Sequence, residues 1–174
     1  MIELQPYSDH MAMHVFSSLD PNDHIEAELV RGVSTSHLAI FADWRSLEGA
    51  RLLSLVITDD SKLRTPFAVL GLSNTGQAGV AQAALLSRSH ARFKPHLRYV
   101  AKKIRRELPT FAEQQGVHRI EARSWSDHPT ANRFLRCCGF RLETQMPGFG
   151  ASGAFTFNQF AWISPNLKGE TKCV

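Results

Sequence analysis

Cysteine is scarce in this chain of 174 residues, and the few cysteines form no ligand pattern. The three are Cys137, Cys138 and Cys173; two of them are adjacent, and no Cys-x-x-Cys spacing occurs. This excludes a disulfide framework and a zinc ribbon, and it favours a reducing compartment. The sequence also has only 11 glycines and 8 prolines, which excludes a collagen-like or low-complexity chain.

Long apolar runs are also missing. The longest uncharged stretch, residues 65–87, is interrupted by turn-forming residues at 73–77, which predicts a hairpin and not a membrane span. The first residues lack the basic start and apolar run of a secretory signal. We therefore expect a cytoplasmic protein without a membrane span.

The composition is that of a folded domain, with 43% hydrophobic and 21% charged residues. The length predicts a single domain. We place it at residues 1–163, followed by an irregular C-terminal tail at 164–174.

Positive charge is concentrated in the second half of the chain. Residues 1–87 hold 5 basic and 10 acidic residues, a balance of −5, whereas residues 88–174 hold 15 and 6, a balance of +9. No acidic residue interrupts the basic block at 88–106. Such a block indicates an anionic partner such as a phosphate-bearing cofactor, or else a solvated helix face.

The apolar periodicity predicts a mixed α/β domain. Strands are predicted over 2–5, 52–57, 67–72, 80–86, 118–123, 140–146 and 155–163. Helices are predicted over 9–19, 23–31, 34–48 and 94–115, and again after Pro129, up to Gly139. The order predicts a central, mostly antiparallel twisted sheet of six or seven strands with helices on both faces.

The end of this pattern resembles the GNAT (Gcn5-related N-acetyltransferase) superfamily. The resemblance lies in residues 127–143, where Ala131 and Phe134 precede a Gly139-Phe140 pair that opens a strand. It implies a GNAT-like fold and acyl transfer from acetyl-CoA to a primary amine, on a small molecule or a protein.

The same resemblance implies a cofactor site at the end of the 80–86 strand and the start of the long helix. The residues placed there are Leu85, Leu86, Arg88, Ser89, His90, Ala91, Arg92 and Lys94. In the family, glycines in this turn let backbone N–H groups wrap the coenzyme A pyrophosphate. This chain has no glycine in the turn, so its cations would bind the phosphates by charge.

Three side chains are candidate catalytic groups. Glu121 lies on a predicted strand where family bases can sit, and Ser126 and Cys137 are candidates to protonate the departing thiolate. The family's usual tyrosine acid is replaced by Leu135, and His128 stands where asparagine is common. Each candidate also has a plain alternative: a solvent-facing glutamate, and small residues that pack.

Three hypotheses follow. The chain is an acetyl-CoA-dependent acyltransferase, or a GNAT-fold protein without activity that serves as a binding component, or a nucleic-acid-binding protein. The second is suggested by a resemblance to short bacteriophage GNAT-like and internal virion proteins, to which Glu28, Gly32 and Leu38 contribute. That resemblance would add phage structural proteins as partners and the virion as a location. Only charge supports the third, so nucleic acid is not the expected partner. His10 and His14 lack a third ligand, so no metal is expected.

Overall fold

The computed structural model describes residues 2–166 and builds them around one seven-stranded sheet. The strands run in the order β1-β2-β3-β4-β5-β7-β6, and the β4–β5 pair is parallel while the other neighbours are antiparallel. The strands are β1 (Ile2–Pro6), β2 (Arg51–Asp59), β3 (Pro66–Asn74), β4 (Val80–Ser87), β5 (Arg119–Trp125), β6 (Arg141–Phe149) and β7 (Phe155–Ile163). The predicted mixed α/β sheet is confirmed.

Five α-helices accompany the sheet within the described residues. They are α1 (Asp9–Phe16), α2 (Pro21–Arg31), α3 (His37–Ser46), α4 (Lys94–Gln114) and α5 (Ala131–Cys138). Two start points differ from the sequence prediction because the capping side chains lie elsewhere: Asp20 caps α2, and Ser36 caps α3. Helix α4 continues through Pro109. The predicted tail lies outside the described residues from position 167 onward.

Strand alternation divides the apolar residues between two layers. Val56 and Val69 face α1 and α3, where they pack with Val15, Phe16 and Trp44. On the other face, Ile57 packs against residues of α4, and Ile120 and Phe160 belong to the cluster beneath α4 and α5. Helices therefore cover both faces, as the sequence predicts.

Gly139 forms the turn that ends α5 and leads into β6. It ends α5 in the left-handed conformation, with φ of +100°, and Phe140 then enters the core with 6% of its surface exposed. A residue with a Cβ atom adopts this conformation only with strain.

We expect Gly139→Ala to lower the free energy of unfolding by about 1 kcal/mol, because strain at positive φ exceeds the gain from a less flexible unfolded chain. Gly49→Ala is the matched control, since Gly49 has no positive φ and no atom within 4 Å of an added Cβ. Urea denaturation of both variants measures the difference. Equal free energies of unfolding for the two variants would show that alanine is not strained at position 139.

Candidate functional site

Strands β4 and β5 separate soon after they meet. They pair only through Val80–Arg119, Ala81–Ile120 and Gln82–Glu121, although β4 continues to Ser87 and β5 to Trp125. The backbone N–H of Arg88 donates to the carbonyl of Phe67 in β3 at 2.8 Å, so by alternation the backbone groups of Leu85 and Ser87 point away from β3. A wedge-shaped gap lies between the carboxyl halves of the two strands.

Side chains of helix α2 accept hydrogen bonds from both strands that border this gap. The Ser87 N–H donates to Asp23 Oδ2 at 2.7 Å, and the Trp125 N–H donates to Glu26 Oε2 at 2.9 Å. Asp23 and Glu26 lie three residues apart and share one face of the helix. The backbone N–H of Asp20 also donates to the Ser87 carbonyl at 2.9 Å. One short helix therefore connects two strands that no longer pair.

Two histidines extend the network around Asp23. Nε2 of His90 lies 3.0 Å and Nε2 of His128 lies 3.1 Å from Asp23 Oδ1. His128 Nδ1 accepts backbone N–H groups from Thr130 at 3.2 Å and Ala131 at 3.0 Å. Nδ1 of His128 therefore acts as an acceptor, and Nε2 faces Asp23 as the donor.

This cluster sets the charges at the gap. Burial opposes ionisation of Asp23, but hydrogen bonds from His128 and His90 outweigh it and lower the pKa of the carboxyl. Burial likewise opposes protonation of His90, yet the hydrogen bond and charge of Asp23 raise the pKa of that imidazole. Both shifts favour the charged forms of Asp23 and His90, which lie 3.0 Å apart at the end of β4.

The three groups are also close enough to be considered as metal ligands. Asp23, His90 and His128 each offer one ligand atom, all within 4.8 Å of one another. A metal-bound histidine normally donates an N–H from its other ring nitrogen. His128 Nδ1 instead accepts two N–H groups, which favours a hydrogen-bonded cluster. The absence of a metal stays a prediction.

Among the acidic residues Asp20, Asp23 and Glu26, only Glu26 has a raised carboxyl pKa. Removal from water is the largest effect and raises the pKa of its carboxyl to about 7; the negative charge of Asp23 adds to the rise, and the Trp125 N–H opposes it. A carboxyl that exchanges its proton near neutral pH suits a general base.

Glu26 and Asp23 line a large cavity. Its volume is about 890 Å³, within the range of ligand-binding cavities. The gap side is also lined by Leu85, Ser87 and Ala122, and the buried Ser87 hydroxyl has no hydrogen-bond partner among residues 2–166. An unsatisfied buried hydroxyl is costly for the folded protein, so a ligand that bonds to it would be stabilised.

Exposed cations of α4 and α5 line the part of the cavity that these two helices border. Lys94, Arg98 and Arg133 line the cavity, and none of them forms an ion pair within the described part of the chain. The donor set therefore fits the phosphates of a nucleotide-containing ligand such as coenzyme A.

The structure places the predicted cofactor residues in two groups. Five of them line the cavity: Leu85, Leu86, His90, Ala91 and Lys94. The other three make local contacts. Arg88 Nη1 donates to the Pro66 carbonyl at 3.0 Å, Ser89 Oγ accepts the Arg92 N–H at 3.3 Å, and the Arg92 guanidinium lies 5.2 Å from the centroid of the Phe93 ring.

The predicted catalytic residues are also separated. Cys137 is exposed and lines the cavity. Glu121 pairs with Arg119 at 2.7 Å, and Ser126 Oγ donates to Asp127 at 3.3 Å. Neither Glu121 nor Ser126 lines the cavity. Leu135, which replaces the family's tyrosine, lies on the cavity wall.

Sequence reasoning missed the contribution of α2. The signal available was the series of acids Asp20, Asp23 and Glu26, spaced at three residues from the helix cap. That spacing places them on one helical face, but an acidic first turn is also ordinary capping chemistry. The pattern alone therefore could not locate their partners.

Comparison with solved structures identifies the architecture. The ribosomal-protein-S18-alanine N-acetyltransferase of Escherichia coli is 14% identical, with a TM-score of 0.66 and 100% of both chains covered. The spermidine N-acetyltransferase of Vibrio cholerae, solved with CoA and spermine, is 14% identical, with a TM-score of 0.65 and coverage of 94% of this chain and 95% of that one.

The Salmonella typhimurium protein yncA, solved with its cofactor acetyl-CoA, is 14% identical, with a TM-score of 0.64 and 99% of both chains covered. This chain has the GNAT fold. Structural similarity at such low sequence identity establishes only the fold. The cofactor, the substrate and the activity depend on the residues of the site. No family model and no curated protein matches the sequence.

The GNAT-like fold expected from the sequence is thus confirmed. None of these three neighbours is a phage protein, so the phage resemblance stays a prediction. No helix among the described residues is long and apolar enough to cross a membrane.

The raised proton affinity of Glu26 predicts a pH effect on stability. A carboxyl whose pKa moves from 4.5 to about 7 on folding costs stability as pH rises through that interval, by up to about 3 kcal/mol. Glu26→Gln removes this cost. We therefore expect the unfolding free energy of the wild type, relative to the variant, to fall between pH 4.5 and pH 7.5 in urea denaturation. A constant difference would contradict the burial of this charge.

Proposed function

We propose that the protein transfers an acyl group from acetyl-CoA or a related acyl-CoA to a primary amine, with Glu26 as the general base. The observation that supports this most strongly is the position of Glu26. Its carboxyl has a pKa of about 7 and accepts the Trp125 N–H of β5 at the gap between β4 and β5. Glu26 also lines the cavity. A base that is partly ionised at neutral pH can take the proton that an amine must lose.

The exposed cations of α4 and α5 would hold the coenzyme A phosphates. Lys94, Arg98 and Arg133 are exposed, line the cavity and have no ion-pair partner in the described range. Bound there, the cofactor supplies a thioester whose carbon forms a bond to the amine nitrogen and whose sulfur leaves with the electrons of the broken C–S bond.

The remaining steps belong to residues of this chain. The Glu26 carboxylate takes the amine proton. Strand alternation directs the Leu85 N–H toward the gap, where it can donate to the acyl oxygen and stabilise the charge that develops there. Cys137 is the sequence-predicted proton donor that lines the cavity, and its thiol can protonate the departing sulfur.

A non-catalytic GNAT-fold binding protein, such as a component of a phage particle, is the second candidate. One observation favours it: Asp23 accepts the Ser87 N–H and Asp20 accepts the His90 N–H, each at 2.7 Å. These carboxylates occupy donors at the end of β4 and in the next turn that would otherwise be available to a cofactor. Binding measurements decide between the two candidates.

Lys94→Glu with Arg98→Glu should weaken acetyl-CoA binding at least tenfold in calorimetry at physiological salt, because two cations that line the cavity become anions. The matched control is Arg92→Glu with Lys102→Glu, an equal change in charge at positions that do not line the cavity. Equal losses in both pairs would place the phosphates elsewhere. No binding by the wild type would favour the second candidate.

Glu26→Gln should lower kcat by about a hundredfold or more while acetyl-CoA binding persists, since a general base contributes on that scale. Thiol release from acetyl-CoA measures the rate, with spermidine and a peptide bearing an N-terminal alanine as acceptors. The wild-type rate should rise with pH and level off above about 7, where Glu26 is ionised.

Glu113→Gln, an exposed change on α4, is the control for this loss. Glu121→Gln tests the sequence-based alternative. If it reduced kcat as strongly as Glu26→Gln, the base would lie on β5 and the assignment of Glu26 would be wrong.

A further inference from the structure

The cavity extends well beyond the gap where a thioester would lie. It continues beneath α4 across three strands, and its floor consists of two cross-strand rows. One row is Leu85, Leu70 and Leu55, which are direct partners across β4, β3 and β2; the parallel row is Ala83, Leu72 and Leu53. We call this region the apolar chamber.

The roof of the apolar chamber is also hydrocarbon. Helix α4 contributes Leu97, Ile104, Leu108 and Phe111 to the lining. These four side chains are only partly buried, as are Leu53, Leu55, Leu70 and Leu85 on the floor. Side chains between a helix layer and a sheet are normally close-packed and fully buried. Most of these side chains pack against neighbouring core residues, but they are not fully buried, and the cavity that they line lies between the helix layer and the sheet.

The aspartate, glutamate, lysine and arginine side chains that line the cavity come from α2 and its cap, α4, β5 and α5, and none comes from β2, β3 or β4. No ionisable side chain belongs to the two rows of the floor or to the four roof residues. A ligand group that lies between the floor rows and the roof must therefore be apolar.

We propose that the apolar chamber holds the acyl chain of the donor, so that the preferred donor is a medium-chain acyl-CoA. This deepens the proposed function and rests on its coenzyme A site. The chamber begins at Leu85, beside the gap, and crosses to Leu55 on β2. Two strand spacings give a length of about 10 Å, which is comparable to an extended octanoyl chain.

The transferred bond is the same as for acetyl. The amine nitrogen bonds to the acyl carbon, the C–S bond breaks, its electrons leave on sulfur, and Glu26 takes the amine proton. Only the alkyl group attached to the acyl carbon differs. On binding, this group moves from water into contact with the apolar side chains of the chamber.

Calorimetric titration with CoA, acetyl-CoA, butyryl-CoA and octanoyl-CoA tests the proposal on the intact protein. Full burial of one methylene strengthens binding about fourfold, so even half-complete burial predicts octanoyl-CoA binding about fiftyfold tighter than acetyl-CoA. Leu53→Trp should fill the chamber and remove most of this preference while acetyl-CoA affinity stays the same. Leu47→Trp, at a half-exposed site on the edge of α3, should leave the preference intact.

The outcomes separate the two proposals. Equal affinities for acetyl-CoA and octanoyl-CoA would overturn the chamber proposal and leave the acyltransferase proposal standing. The chamber proposal would also be overturned if Leu53→Trp kept the preference for octanoyl-CoA. No binding of CoA or of any thioester would overturn both. If Leu53→Trp fails to fold, Leu55→Phe, which adds less volume to the same region, replaces it.

Discussion

The separation of β4 from β5 after three residue pairs is the constraint on which the site depends. Each strand then presents backbone groups that need hydrogen-bond partners away from water. Carboxylates of α2 meet this need at two points, through Ser87 and Trp125. The fold therefore keeps an opening in its sheet and brings acidic side chains to that opening.

Those carboxylates are not equivalent, and the proposed chemistry depends on their difference. Asp23 receives hydrogen bonds from two histidines and one backbone N–H, so it stays ionised. Glu26 is removed from water, receives only one backbone N–H and lies beside the charge of Asp23, so its pKa is raised to about 7. A buried network that satisfies one acid and leaves its neighbour under-satisfied produces a base with a useful pKa.

Local pattern was sufficient to predict the architecture. The apolar periodicity of the helices and the alternation of the strands predicted a sheet covered on both faces, and Gly139 ends α5 as expected. The candidate site was predicted only in part, because its contacts are remote in sequence. Asp23 meets Ser87 across 64 positions and His128 across 105, and Glu26 meets Trp125 across 99. No periodicity signals such pairs.

The most direct test of the proposed chemistry is the titration of Glu26 itself. Carbon-13 NMR of protein labelled at glutamate carboxyl groups, compared with Glu26→Gln, assigns its signal and follows its pKa. We expect one glutamate that titrates near pH 7, absent from the variant and shifted when an acyl-CoA binds. If every glutamate titrated below about pH 5, Glu26 would be an ordinary solvated carboxyl. The gap between β4 and β5 would then have no base, and the acyltransferase proposal would lose its chemical foundation.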